Sequence, residues 1–188
     1  MPTTNKPLKD IANIISGYTF RKAIGPENVG YQLILQSKNI KNESIISDKD
    51  LTKISFKTTR TNSFAKNNDV VISSRGSFRS AVIKSTKKIL ASSSVYVLHL
   101  TDNQILPEFL SLYLNSSRGN RNLQNITTGS TIKSILKNDL ESLKIPIPPF
   151  STQKNLIKLS QNQINQAKLL GDKLTINSNI LEGALYQL

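Results

Sequence analysis

The chain has no cysteine, a single histidine, and only 12 acidic residues against 25 lysines and arginines. Without thiols there is neither a disulfide framework nor thiolate chemistry, and one histidine, His99, cannot complete a four-ligand structural zinc site. The longest stretch without a charge runs 13 residues, from Ile89 to Thr101, and holds three serines, so nothing is expected to span a bilayer. The opening MPTTNKPLKD has no apolar core and predicts no secretory leader, which fits a cytoplasmic setting.

The common catalytic signatures are missing too. No Asp or Glu has a lysine two residues later, the spacing by which metal-dependent nucleases are usually read. The eight glycines never form a Gly-x-Gly, so the glycine-rich cradle of a methyl-donor site is absent. A phosphate-binding loop ending in Gly-Lys is absent as well, and ATP hydrolysis is not expected. In Ile147-Pro148-Pro149-Phe150, Ile147 stands where a target-gripping motif needs a hydrogen-bond acceptor, so the segment reads as a proline-rich exit from a strand. His99 lies in an alternating strand pattern with no carboxylate or nucleophile motif around it, and reads as structural. The chain is therefore expected to work by binding and not by catalysis.

What is abundant is positive charge, with a formal net of +13. Residues 51–100 alone carry nine lysines and arginines against the single acid Asp69. Nucleic acid is the polyanion such an excess fits best. A membrane surface would call for a basic amphipathic helix, whereas these charges alternate with strand-like runs.

The patterning predicts an α+β domain with a mixed, mainly antiparallel sheet and packed helices over residues 1–150, followed by one long C-terminal helix over 151–188. Leu8–Ser16 has helical spacing and reads as a short helix or turn stopped by Gly17. Strands are expected at 31–36, 53–57, 70–73, 80–84 and 95–100. Pro107 introduces an amphipathic helix through Tyr113 and Leu114. Asn138 and Glu141 resemble a capping pair before a strand at 143–147, and Pro146, Pro148 and Pro149 close the domain. From Ser151, a plausible N-cap, a seven-residue stripe includes Ile157, Ile164, Ala167, Leu174, Leu181, Leu185 and Leu188. As one helix it would reach roughly 57 Å at ~1.5 Å per residue. It reads as a projecting arm, the alternative being an ordinary helix lying on its own domain.

In this order the segments resemble a known family, the target-recognition domains of Type I restriction-modification specificity subunits. The resemblance rests on Leu8-Lys9-Asp10-Ile11-Ala12, Tyr31–Ile34 with Lys38-Asn39-Ile40, Asp69–Gly76, Leu106–Ser116, Thr128–Ile132, and Lys144–Pro149 followed by Gln153. Asn68 stands where the family usually has glycine, and Thr152 where an acid often precedes the glutamine. A full specificity subunit has two recognition domains and two long helices, so one of each implies a half-length form.

The resemblance implies a non-catalytic reader of double-stranded DNA in the major groove. Its C-terminal helix would pair with that of a second copy, and a methyltransferase subunit and a restriction or translocase subunit would be its partners. S-adenosylmethionine, ATP and Mg²⁺ would belong to those subunits, and this chain would bind no cofactor. Arg75 and Arg79, each able to make two parallel hydrogen bonds, and Ser74 and Ser77 are candidate base or phosphate contacts. Their alternative role is a hairpin turn with solvated arginines. Thr128, Ser130, Thr131 and Lys133 form a second candidate loop, with helix capping as its alternative. Lys38, Asn39, Lys87, Lys88, Arg118 and Arg121 are candidate phosphate clamps. Two other functions compete: a truncated specificity allele that only binds partners, and a stand-alone DNA-binding regulator.

Overall fold

The computed structural model describes residues 3–27, 29–41, 45–58 and 62–186. In chain order the elements are β1 (Thr4–Pro7), β2 (Ala12–Ser16), β3 (Gln32–Leu35), β4 (Ile45–Ile46), β5 (Thr52–Ile54), β6 (Phe64–Ala65) and β7 (Val70–Ser73). They continue with β8 (Ser80–Ile83), β9 (Ile89–Ala91), β10 (Val95–Leu100), α1 (Pro107–Asn115), α2 (Ser117–Asn125), β11 (Thr127–Thr128) and β12 (Ser134–Ile135). The last three are α3 (Lys137–Ser142), β13 (Lys144–Ile147) and α4 (Phe150–Leu185). The fold is α+β, as the patterning predicts.

Two sheets carry the domain, a five-stranded one in the order β2-β10-β7-β8-β4 and a four-stranded one in the order β5-β3-β9-β6. Side-chain alternation along each strand builds the layers. In the first sheet Ala12, Ile14, Val70, Ile72, Val82 and Leu98 face a core shared with Phe109, Leu110 and Leu114 of α1. From the same strands Val71, Ala81, Ile83, Val95 and Val97 face a second core, filled from the other sheet by Leu33, Leu35, Ile89 and Ala91. The outer face of the four-stranded sheet, through Ile34, Ile54 and Leu90, is covered by Tyr18, Phe20, Ile24, Phe56 and Phe64. Strands β7 and β8 are buried along their whole length because both of their faces are covered.

Leu8–Ser16 does not form a helix. Leu8–Asp10 make one 3-10 turn, and Ala12–Ser16 pair residue for residue with β10, from Ala12 opposite Leu100 to Ser16 opposite Tyr96. The local spacing satisfies either period, and five ladder positions against a central strand decide for the strand.

Helix α2 follows α1 directly because the Ser116 hydroxyl accepts the Gly119 N–H at 3.1 Å. The Asn138–Glu141 capping pair does not form, since Leu136 takes the N-cap of α3 and both residues lie inside the helix. Likewise α4 starts at Phe150 behind Pro149, one residue before the expected cap at Ser151.

The base of α4 is anchored, its stretch from Ile157 to Lys168 borders a groove against Ile45, Ser47 and Leu112, and the remainder is exposed. Gln153, fully buried, accepts the Leu106 N–H at 2.9 Å and donates to the carbonyls of Gln104 (2.7 Å) and Pro148 (2.8 Å). Ile157 packs at the edge of the helix-side core. From Gln161 to Tyr186 every side chain is exposed, Ile164, Ala167, Leu174, Leu181 and Leu185 included. Leu188 lies outside the described residues. Over 36 residues the helix is about 54 Å long at ~1.5 Å per residue.

Candidate nucleic-acid interface

Strand direction brings several loops to one end of both sheets. Ser73 lies opposite Val95, Ser16 opposite Tyr96, and Leu35 beside Ala91, so β2, β3, β7 and β9 finish where β10 begins. Between β9 and β10 sits the turn Ser92-Ser93-Ser94, and its polar backbone needs partners. The Ser74 N–H donates to the Ser94 carbonyl at 2.8 Å. The Ser74 hydroxyl, itself buried, donates to the Ser93 carbonyl at 3.1 Å. The Tyr18 carbonyl accepts the Ser93 N–H at 2.8 Å, and the Ser37 N–H donates to the Ser94 hydroxyl at 3.1 Å. Gly17 approaches so closely that a Cβ there would lie 1.9 Å from the Ser92 carbonyl oxygen.

The two candidate loops are fastened to each other on this frame. Gly76 N–H donates to the Lys133 carbonyl at 2.9 Å, and Ile135 N–H to the Ser74 carbonyl at 3.0 Å. Arg75 and Ser134 form a bridge, and the Tyr96 hydroxyl donates to the Ile135 carbonyl at 2.9 Å. Burial pushes the Tyr96 phenol above its ordinary pKa, and the Arg75 guanidinium nearby opposes that rise. Gly129 has a φ of 97°, the left-handed conformation a side chain resists, and this turns the second loop back from β11 to β12.

Arg75, Ser77, Arg79, Thr128, Ser130, Thr131 and Lys133 are all exposed, and no acidic residue interrupts 73–79 or 127–133. Among the described residues none of Arg75, Arg79 and Lys133 is engaged in an ion pair. Helix α2 flanks the first loop, with Asn120 donating to the Phe78 carbonyl at 3.2 Å, and it carries the exposed Arg118 and Arg121. Exposed Lys38 follows Ser37 at the serine turn.

Other candidates fall elsewhere or are already engaged. The Ser74 hydroxyl is committed to the turn. Asn39 accepts the Gln36 N–H at 2.9 Å and donates to the Asp50 carbonyl at 2.6 Å, so its amide holds a local turn. Lys87 and Lys88 precede β9, whose other end leads into the serine turn, and the four steps from Lys88 to Ser92 span about 13 Å. Lys87 also pairs with Asp48 at 3.2 Å. The Asp48 carboxyl is held below its usual range, first by the Ser85 hydroxyl and then by Lys87.

The serine turn leaves only a Ser-Ser-Ser run between two strands as its trace in the sequence, and nothing in that run announces its organising role. Exposed Arg21 and Lys22, which belong to no motif, are delivered just past Tyr18. His99 does have a carboxylate after all: Asp69, thirty residues away in sequence, meets its Nδ1 at 2.6 Å. Among the described residues no group of three or more His, Asp or Glu is placed to hold a metal ion, and no helix is long and apolar enough to cross a membrane.

A family model for the Type I restriction modification DNA specificity domain matches residues 2–180. The fold is similar to the S subunit of a Type-I restriction-modification system from M. genitalium, at 20% identity and a TM-score of 0.61, covering 95% of this chain and 43% of that one. It is also similar to the HsdS subunit from Thermoanaerobacter tengcongensis, at 20% identity and a TM-score of 0.64, covering 90% and 40%. A third similar chain comes from a structure concerning complex assembly and conformational transition of the type I R-M system, at 21% identity, a TM-score of 0.63 and coverage of 90% and 40%. The chain thus spans 40–43% of the length of these solved chains, and at such identities the likeness speaks for the fold.

Proposed function

We propose that this chain, which belongs to the Type I restriction modification DNA specificity domain family, reads base sequence in double-stranded DNA with the loops gathered at the serine turn. One observation carries the reading. Two loops more than fifty residues apart are hydrogen-bonded into a single exposed surface bearing Arg75, Arg79 and Lys133, with no carboxylate among them. Arginine presents a fork of donors to guanine or phosphate edges, while the hydroxyls of Ser77, Ser130 and Thr131 serve either role. Lys38, Arg118 and Arg121 widen the positive surface and set register on the backbone.

On this reading the chain does no chemistry of its own and works in the cytoplasm beside the DNA. A methyltransferase subunit and a restriction or translocase subunit supply catalysis, with S-adenosylmethionine, ATP and Mg²⁺ bound by them. The exposed apolar residues of α4 serve pairing with a second copy, which would present two recognition domains to a two-part, palindromic target. Support for that role is the exposure of Leu174, Leu181 and Leu185, each at 60% or more, on a helix whose described residues from Gln161 onward are all exposed.

The test is competition binding with a selected duplex against random sequence, for the parent and for Arg75→Ala. A base-reading Arg75 should cost about 1–3 kcal/mol on the preferred site and relax discrimination at one position. Equal loss on every sequence would reassign it to phosphate. No preference by the parent for any duplex, alone or with a methylating partner, would overturn the function.

A further inference from the structure

Along the edge of the domain formed by β2 and β6 lies a second polar site, with His99, Lys66 and Lys88 toward the end of the sheets away from the serine turn. A crevice of about 360 Å³ opens between the two sheets, lined by Asn13, Ile15, Asn62, Phe64, Lys66, Lys88 and His99. Its side-chain polar groups come from five separate segments: Asn13 from β2, Asn62 ahead of β6, Lys66 after it, Lys88 ahead of β9, and His99 from β10. Neither lysine has an ion-pair partner among the described residues.

The histidine is fixed from behind. Asp69, only 7% exposed, meets His99 Nδ1 at 2.6 Å through one carboxylate oxygen, and its other oxygen accepts the Lys66 backbone N–H. A carboxylate on one ring nitrogen fixes the orientation and tautomer of the other. Nε2 is then the ring atom left for a ligand, and in the imidazolium form it donates. Asp69 is spent on this support, and no acidic side chain lines the crevice. The walls thus offer two ammonium groups, two amides and an oriented imidazole whose Nε2 donates when the ring is protonated, with no carboxylate among them.

The geometry points to a receptor for a phosphate group, built from His99, Lys66 and Lys88 and separate from the base-reading end. Phosphate offers several acceptor oxygens and up to two negative charges, which matches two ammonium groups lining one crevice together with His99 in its imidazolium form. Lys88 thereby becomes one wall of a shaped site and not an isolated backbone clamp. The phosphate could be part of a DNA backbone or of a free phosphorylated ligand, and the chemistry of the site is the same for both.

His99 is the sole histidine of the chain, so its imidazole gives a single set of ring signals in long-range ¹H–¹⁵N NMR of the labelled protein. The titration uses inorganic phosphate, then adenosine monophosphate, then a duplex oligonucleotide, each at constant ionic strength with chloride as control. Phosphate should move the Nε2 resonance saturably. The Lys66→Ala, Lys88→Ala double variant, altered only at exposed side chains, should weaken that response roughly tenfold or more. Arg75→Ala should leave it unchanged, which separates this site from the proposed reading surface. Displacement of phosphate by duplex assigns the site to the DNA backbone, and a response to phosphate or the mononucleotide alone assigns it to a free ligand. A shift no larger than chloride produces, or one that persists in the double variant, overturns the inference.

Discussion

Replacing Gln153 with leucine should loosen the base of the arm at a cost of about 2–4 kcal/mol. The two side chains are similar in size, so no large cavity forms, and the cost comes from polar groups left unmade. The Leu106 N–H loses the amide oxygen 2.9 Å away, and an unmet donor in such a setting costs about 1–3 kcal/mol. The Gln104 and Pro148 carbonyls lose their donor at 2.7 and 2.8 Å but recover part of the loss from water. For a chain of this size that amounts to roughly 5–12 °C in midpoint, measurable by calorimetry and checked by urea titration. Gln153→Glu sharpens the test. Its second oxygen faces two carbonyls, so the folded state favours the protonated acid and raises its pKa above the unfolded value near ~4.3. Between those two values the native state binds more protons, so stability falls as pH rises through them and is flat above. The glutamate variant should therefore gain on acidification relative to the leucine variant. A leucine variant within about 0.5 kcal/mol of the parent, or a glutamate variant whose pH profile parallels it, would refute the clamp.

Gly17→Ala should destabilise by about 1–3 kcal/mol and weaken DNA binding, because the new Cβ collides with backbone at Ser92, while Gly25→Ala, with open space around it, should be nearly silent in the same unfolding assay. Asp102 is held below the usual carboxylate range chiefly by the Lys6 ammonium 2.6 Å away, so its contribution is present above the unfolded value near ~3.9 and lost as pH falls through the folded one. Asp102→Asn should accordingly flatten the acid limb of stability below about pH 4, read from urea midpoints across pH. Changing Leu174 and Leu181 together to lysine should leave the domain's unfolding within about 0.5 kcal/mol of the parent and abolish self-association in sedimentation. Persistence of a dimer would place its interface off the arm.

Elements with one unambiguous pattern were legible, and those with none, or with a spacing that fits two periods as at Ala12–Ser16, were not. Val70–Ser73 and Val95–Leu100 appear at the predicted limits, and α1 follows Pro107 as expected. By contrast β4, β6, β11 and β12 have two residues each, too few to display any period. Helix α2 buries only Gly119 and Leu123, so SRGNRNLQN carries no apolar stripe to read. Strand β1 exists because Thr4–Pro7 pair with Lys144–Ile147, a partnership between opposite ends of the domain. The same limit applies to the interface. Arginine, glycine and hydroxyl residues marked both loops, but their union depends on strand pairing across sixty residues. That pairing also sends Lys87 and Lys88 to the far end.

The loops are held in place by atoms other than those that would touch DNA. Backbone groups of Ser74, Gly76, Lys133 and Ile135 make the bonds that join them, and the serine turn is gripped through backbone and small hydroxyls. The side chains of Arg75, Ser77, Arg79, Ser130, Thr131 and Lys133 contribute none of those bonds. A frame built this way separates where a side chain is presented from which side chain it is. Substitutions at these exposed positions should therefore alter the preferred bases while leaving the unfolding midpoint nearly fixed. Changes at Gly17, Ser74 or Gly129 should do the opposite, lowering stability and weakening binding to all sequences alike, because they move the whole surface and not one contact on it.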